Sequence, residues 1–330
     1  MDRTGAATDR DPRPAVGGNQ GNEAVLRYAV KRLLGTLPTL LVIITVAFFM
    51  MRLAPGGPFD KERRLPPEVE ANLMKAYHLD EPLVQQYLRY LGNILRGDFG
   101  PSFQYKDFTV NDLIWGGFPT SLYLGGVAIL IATVLGVVSG TVAALRQNTG
   151  ADYSVMAGAM TGIAIPNFVM APVLTLVFGL WLRWLPVGGW GSAWTQAILP
   201  IAALCLPQVA AIARLTRGSM IEVLRSNYVR TARAKGLPER ITILRHALKA
   251  AMLPVVSYLG PAVAGIITGS VVIEQIFGIP GIGRYFVQAA LNRDYTLVMG
   301  IVIFYGVLII LFNLAVDLIY SLLDPKVRYD

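Results

Sequence analysis

Six stretches of this chain carry no Asp, Glu, Lys or Arg: 33–51, 113–145, 153–182, 184–213, 250–273 and 295–316. Each reaches the roughly 18 residues that a helix needs to cross the hydrocarbon of a bilayer. Only 15% of the residues are charged, against about a quarter in soluble domains, and the mean hydropathy is +0.52. The pattern predicts an all-α integral membrane protein with six transmembrane helices, near 30–51, 118–145, 155–182, 197–216, 254–275 and 297–322. The run 113–145 is too long for one straight span, so its start is expected to be an interfacial approach. The run 184–213 opens with a loop, because Pro186 and the WLPVGGWGSAW stretch punctuate it.

The first run is expected to be a retained helix rather than a signal peptide. It begins beyond residue 30 and ends in MRLAPGGP with no A-x-A cleavage site. Residues 1–24, rich in Gly, Pro, Asp and Arg, form a tail expected to be disordered. Residues 25–117 then combine the first span with a long loop, 118–324 hold the five-helix remainder, and 325–330 are a second short tail. Cys205, the sole cysteine, excludes an intrachain disulfide.

Orientation follows from Lys and Arg in the short loops. With six spans both termini share one side. That side holds Arg27, Lys31, Arg32, Arg146, Lys326, Arg328 and the eight basic residues between 217 and 249. The other side holds Arg183, Arg284 and Arg293, and a loop, 52–115, with eight basic and nine acidic residues. Both termini are therefore expected in the cytoplasm, and the long loop after the first span outside. The +8 net charge is then accounted for by the anionic inner leaflet, with no call on nucleic acid.

Charge alone does not explain the pattern in SNYVRTARAKGLPERITILRHALKAAMLP, residues 226–254. Tyr228, Thr231, Ala232 and Lys235 recur at helical intervals, placing them on one side of a short helix. Arg230, Arg233 and Ala234 flank them, and Gly236, before Leu237 and Pro238, supplies a stop. A short helix with small residues and charged rims suits a groove on another protein, where bulky side chains would hold the backbones apart. Orientation by positive charge is the competing explanation for the segment.

These residues resemble a cytoplasmic loop of the permease subunits of binding-protein-dependent ABC importers, specifically the dipeptide, oligopeptide and nickel branch. The family's Glu-Ala-Ala, three residues, then Gly aligns with Arg230, Thr231, Ala232 and Gly236, and departs from it at the first two positions. EQIFGIPGIGRYF (274–286), NRDYTLVMG, NLAVDLIYSLLDPKVR, RLAPGGPFD and GDFGPSF look like the same branch. The resemblance implies a type I importer permease fold with a coupling helix at 226–240. It implies a second, similar permease subunit, two cytoplasmic ATPase subunits carrying ATP and Mg, and an extracytoplasmic binding protein. The cargo implied is a dipeptide or oligopeptide; glutathione, nickel or another small solute is the alternative within the branch. A self-sufficient channel, an ion-coupled carrier or an intramembrane enzyme are the rivals outside it.

This chain has no G-x-x-x-x-G-K-[ST] loop to cradle a nucleotide, since no lysine follows a glycine. It is therefore not expected to be an enzyme or to carry a cofactor. His78 and His246 are the only histidines, and no metal-ligand spacing occurs. Asp317 in the last span reads either as an interfacial carboxylate paired with a basic residue or as part of an ion relay. Glu274 sits at an outer helix end. Gly136-x-x-x-Gly140 and Gly265-x-x-x-Gly269 fit small-residue helix packing, within the subunit or between subunits. Pro166 and Asn167, and Gly260 with Pro261, are expected to loosen the third and fifth spans for gating. In the outer loop, Leu79, Leu83, Tyr87, Tyr90, Leu91 and Leu95 predict an amphipathic helix near 80–95. That helix is either a lid on its own subunit or a contact for the binding protein. No residue is assigned to cargo, because spans apolar on every side give no facing.

Overall fold

The computed structural model describes residues 18–53, 74–75 and 77–323. The expected terminal tail at 325–330, residues 1–17 of the other tail and 54–73 of the long loop lie outside the described residues. Among the described residues there is no strand; one isolated bridge joins Pro101 and Thr109. Helix α1, Gly18–Leu53, begins within the stretch read as a tail and contains the apolar span Val30–Leu53. Only 11% of that span is buried, so most of its side chains face outward, as lipid-facing side chains must.

The amphipathic helix of the long loop is α2, Leu83–Leu95. It packs on the end of α1: the hydroxyls of Tyr87 and Thr45 lie 2.6 Å apart, and Tyr87 and Tyr90 both meet the ring of Phe48. Helix α3, Val110–Leu145, runs unbroken for 36 residues, about 54 Å at the usual rise. A separate interfacial approach before residue 118 is thus not formed. The extra turns at its start are buried in protein, with Val110, Leu113 and Ile114 packed on Ile282, Leu297 and Ile301. A capping box fixes this start, with Asp112 accepting from the Thr109 backbone and Thr109 Oγ1 from the Asp112 backbone.

The third span is not one helix. Helix α4, Gly150–Ala164, and helix α5, Asn167–Leu174, which continues as a π-turn over Thr175–Trp181, meet at 107°. The cause is local: Pro166 forces Ile165 into extended backbone (φ −94°, ψ 117°), which ends α4. Among the described residues five helices are long and apolar enough to cross a membrane, or six if this bent pair counts as one span.

Helix α6, Ile198–Leu224, is the centre of the bundle and packs against α3 and α4. Small residues permit the approach. A Cβ at Gly136 would lie 2.7 Å from that of Ile212, one at Gly140 would strike the Ala213 carbonyl, and one at Gly162 would lie 2.7 Å from the Leu206 carbonyl. In lipid no hydrophobic force draws helices together, so such close packing carries the association. The glycine pair of α3 therefore serves packing within the chain. The packing around Gly269 lies outside what is described.

Beyond α6 come α7, Asn227–Ala234, and α8, Glu239–Ile241, extended by a π-turn over Thr242–Ala247 and by α9, Leu248–Ala251. The remaining helices are α10, Leu253–Phe277, α11, Ile282–Leu291, and α12, Tyr295–Leu323. Glu274, near the end of α10, is fully buried and accepts from the backbone N–H groups of Gly283 (2.8 Å) and Arg284 (3.3 Å). Its carboxylate caps α11, where the unpaired amides and the helix dipole favour negative charge. Asp317 is paired: Arg32 Nη2 lies 2.6 Å from its Oδ2. The pairing with a basic residue is observed, and the partner lies within helix α1 rather than in a loop.

Candidate coupling surface at the basic end

The basic segment folds as a knuckle at one end of the bundle. Helix α7 closes with a Schellman motif. Leu237 N–H reaches back to the Ala232 carbonyl at 3.3 Å, and Gly236 N–H reaches the Arg233 carbonyl at 2.9 Å. Gly236 has φ +75°, a left-handed conformation that costs glycine nothing. A Cβ there would meet nothing within 4 Å, so the position opens outward.

Two residues seat the knuckle. Val229 is fully buried and Ala232 nearly so. Val229 joins Ala144 of α3, Met220 of α6, and Ala247 and Ala251 of the following segment in one apolar cluster. Ala232 therefore faces its own subunit, whereas the helical spacing put it beside Tyr228, Thr231 and Lys235. Those three are exposed, as are Arg230, Arg233, Ala234 and Gly236. The outward surface is thus one aromatic ring, a hydroxyl, an alanine, a glycine and a ring of cations.

Those cations are mostly uncompensated. Arg233 donates to Glu239 through Nε (3.2 Å) and Nη2 (2.6 Å), and this bond holds the Glu239 carboxyl below the usual carboxylate range. Arg230, Lys235, Arg240, Arg245 and Lys249 are exposed and have no acidic partner among the described residues. A surface with this balance attracts an acidic partner and speeds its encounter.

Beneath the knuckle lies a pair that the sequence did not single out. Arg217 of α6 donates through Nε and Nη2, both at 2.6 Å, to the two oxygens of Asp152 in α4. Asp152 also accepts from Asn148 N–H at 2.9 Å and has no exposure. It is shielded by its immediate neighbours rather than by depth. Arg217 had been counted only as one inside charge among eight, and a lone Asp at the head of a span gave no partner to look for. The clamp joins the two helices that carry the knuckle and the broken span.

The expected gating residues separate into two kinds. Pro166 and Asn167 sit at the 107° break, with Pro166 preceding the first residue of α5. Gly260 and Pro261 lie inside α10, which runs through them without a break. Gly260 is instead a close-approach site, where a Cβ would come within 2.6 Å of Asn313 Oδ1 in α12. The histidines stand apart: His78 is half exposed beside Glu81 (3.2 Å), and His246 lies in the π-turn after α8.

Residues 132–329 match the family described as binding-protein-dependent transport system inner membrane component, and 25–124 match the N-terminal part of the corresponding membrane component. The chain is 59% identical over 306 residues to the oligopeptide transport system permease protein OppB of Salmonella typhimurium, covering 92% of this chain and 100% of the relative. It is 47% identical to the dipeptide transport system permease protein DppB of Bacillus subtilis, over 92% of this chain and 98% of the relative. A solved amino acid ABC transporter with histidines has a TM-score of 0.50 at 17% identity, covering 64% of this chain and 94% of that one, a likeness of fold. The likeness read from the loop, the EQIFGIPGIGRYF stretch and the C-terminal stretch is borne out. The chain belongs to the family of inner membrane components of binding-protein-dependent transport systems.

Proposed function

We propose that this chain is the membrane-spanning permease subunit of an ATP-driven importer of dipeptides or oligopeptides. The single observation that carries the reading is α7: a helix seated on its own subunit by Val229 and Ala232, whose exposed face is rich in small and basic residues, with Arg233 alone among its cations paired to an acid among the described residues. The names of the relatives at 47–59% identity support peptide as the cargo. With no phosphate-cradling loop in the sequence, ATP and Mg belong to two separate ATPase subunits that dock on α7. A second permease subunit completes the pore, and an extracytoplasmic binding protein delivers cargo to the opposite end. The excess of Lys and Arg at that end supports a cytoplasmic position for the knuckle and both termini.

In this mechanism the ATPase subunits close on nucleotide and push the two knuckles together. Force passes from α7 through the Val229 cluster into α3 and α6, and through the Arg217–Asp152 clamp into α4 and the break at Pro166. The helices then alternate between outward and inward access. The test is Gly236→Trp, which places an indole where space is open and the partner must approach. Purified from membranes, the wild-type chain is expected to bring down a nucleotide-binding chain; the variant is expected to lose it or to hydrolyse ATP without uptake. Coupled uptake by Gly236→Trp at the wild-type rate overturns the assignment.

A further inference from the structure

Gln208 of α6 stands at the middle of the membrane-spanning bundle, away from the knuckle and its force path. A Cβ at Gly265, the midpoint of α10, would lie 3.7 Å from Gln208 Nε2, so the two positions share a level. Helix α10 is about 37 Å long against a hydrocarbon core of about 30 Å, which puts that level near the bilayer centre. The amide there is oriented but not satisfied. Tyr258 Oη, also of α10, donates to Gln208 Oε1 at 2.9 Å, which turns Nε2 away from the phenol. Nε2 makes no hydrogen bond among the described residues, and it is not one of the enclosed polar atoms that lack a partner. It therefore reaches accessible surface.

The surface around that amide is unlike a lipid face. Gln208 is half-buried, and Pro261 and Gly265 of α10 are exposed, neither with a side chain long enough to cover the amide. Arg214, further along α6 toward the knuckle, is exposed too, and its charge acts on the Tyr258 phenol. Helix α1 shows the contrast: its exposed side chains include Leu34, Leu37, Leu41, Val42, Val46 and Met50. An amide N–H without an acceptor is costly in hydrocarbon, and a charged side chain within a span faces a water-filled cavity or the bundle interior. The α6–α10 face therefore meets water or protein, not acyl chains. A closed interface would have to bring an acceptor to Nε2 at mid-depth; an aqueous path supplies one at no cost.

An oriented amide donor with no charge of its own matches the carbonyl oxygens that every peptide presents, whatever its side chains. We propose that the α6–α10 face around Gln208 lines the aqueous path of the cargo, with Nε2 donating to a backbone carbonyl of the passing peptide. Tyr258 is a positioning residue, since its hydroxyl sets which way the amide points. Arg214 carries the wet face on toward the knuckle. A single neutral hydrogen bond is weak enough in net terms to let the peptide go once the path opens on the other side. The peptide as cargo rests on the transport reading above; the wet face does not.

The first test reads water directly. Gly265→Cys, Gln208→Cys and Val42→Cys are made in a Cys205→Ala background, and the chain is studied in lipid nanodiscs with the subunits that co-purify with it. A charged methanethiosulfonate reagent attacks the thiolate, which forms in water and not among acyl chains. Gly265→Cys and Gln208→Cys are expected to react on the order of a hundredfold faster than Val42→Cys, which is 60% exposed midway along the apolar span of α1. Reaction as slow as at Val42→Cys means a closed interface or a lipid face and overturns the proposal. The second test reads the amide. Uptake of labelled trialanine is expected to fall about tenfold in Gln208→Leu and to recover in part in Gln208→Asn. Tyr258→Phe breaks the same hydrogen bond but keeps the amide, and is expected to lower uptake by only about twofold. Wild-type uptake by Gln208→Leu, or an equal loss in Tyr258→Phe, overturns the role given to Nε2. Unchanged subunit co-purification and ATP hydrolysis verify that the variants fold. Fast labelling in a preparation whose wild type takes up no trialanine counts against the transport reading alone; wild-type uptake with slow labelling removes the wet face alone.

Discussion

Arg217 and Arg233 each grip a carboxylate with two forked hydrogen bonds, yet they do different things. The Asp152 side chain is 1% exposed and that of Glu239 is 54% exposed. Asp152 is covered and gripped on both oxygens, so the pair ties two helices together, while Arg217, with 27% of its side chain exposed, keeps contact with water. The exposed Arg233–Glu239 pair is screened and competes with solvent, so it contributes little. The platform is thus rigid while the knuckle above it is held by packing of Val229 and Ala232, leaving its charges free for a partner. A coupling element needs that division: a stiff lever below, an uncommitted surface above.

The comparison breaks most readily at the clamp. Asp152→Ala removes the carboxylate that holds Arg217, and the thermal unfolding midpoint of the purified chain is expected to fall by about 5 °C. A shift no larger than that of Glu239→Gln would remove the distinction between the two pairs. Next comes the contact that brings the clamp's helices together. Gly140→Leu forces a side chain into the Ala213 carbonyl and is expected to cost about 1–3 kcal/mol in unfolding free energy. Gly218→Ala on α6, where a Cβ meets nothing, is the neutral control.

Val229→Ala removes two buried methyl groups and is expected to cost about 1.5 kcal/mol, while loosening the knuckle. Its signature is a lower ratio of uptake to ATP hydrolysis in the assembled transporter. Glu239→Gln is the smallest effect, below about 1 kcal/mol. Its pH dependence has a definite sign. The folded carboxyl titrates below its unfolded value of about 4.3, so its contribution is full above that value and is lost as pH falls through the folded one. A small loss of stability below pH ~4.5 in the wild type, absent in Glu239→Gln, is the expected result of acid titrations followed by circular dichroism.

The spans, the amphipathic loop helix and the small-residue packing were legible because lipid imposes length and polarity rules that a single sequence displays. The glycine stop at 236 was legible because the left-handed position demands that residue. Two things were not. Helical spacing grouped Ala232 with the outward residues, since periodicity gives relative positions on a helix but not which face finds a neighbour. The Arg217–Asp152 clamp joins residues 65 apart, and only tertiary structure brings such charges together. The break at Pro166 was foreseen as a weakness, but its 107° turn depends on where α5 packs. Gly260, next to a proline, reads as a hinge, and its close approach to Asn313 became visible only in three dimensions.

The central claim is that work enters through α7 from separate ATPase chains. Labelled-peptide accumulation in sealed proteoliposomes tests it directly, comparing the two permease chains alone with the full set including ATPases, binding protein and internal or external ATP. The account predicts uphill accumulation only when the ATPases and ATP are present on the knuckle side, and none with Gly236→Trp. Accumulation against a gradient by the permease chains without ATPases would contradict it.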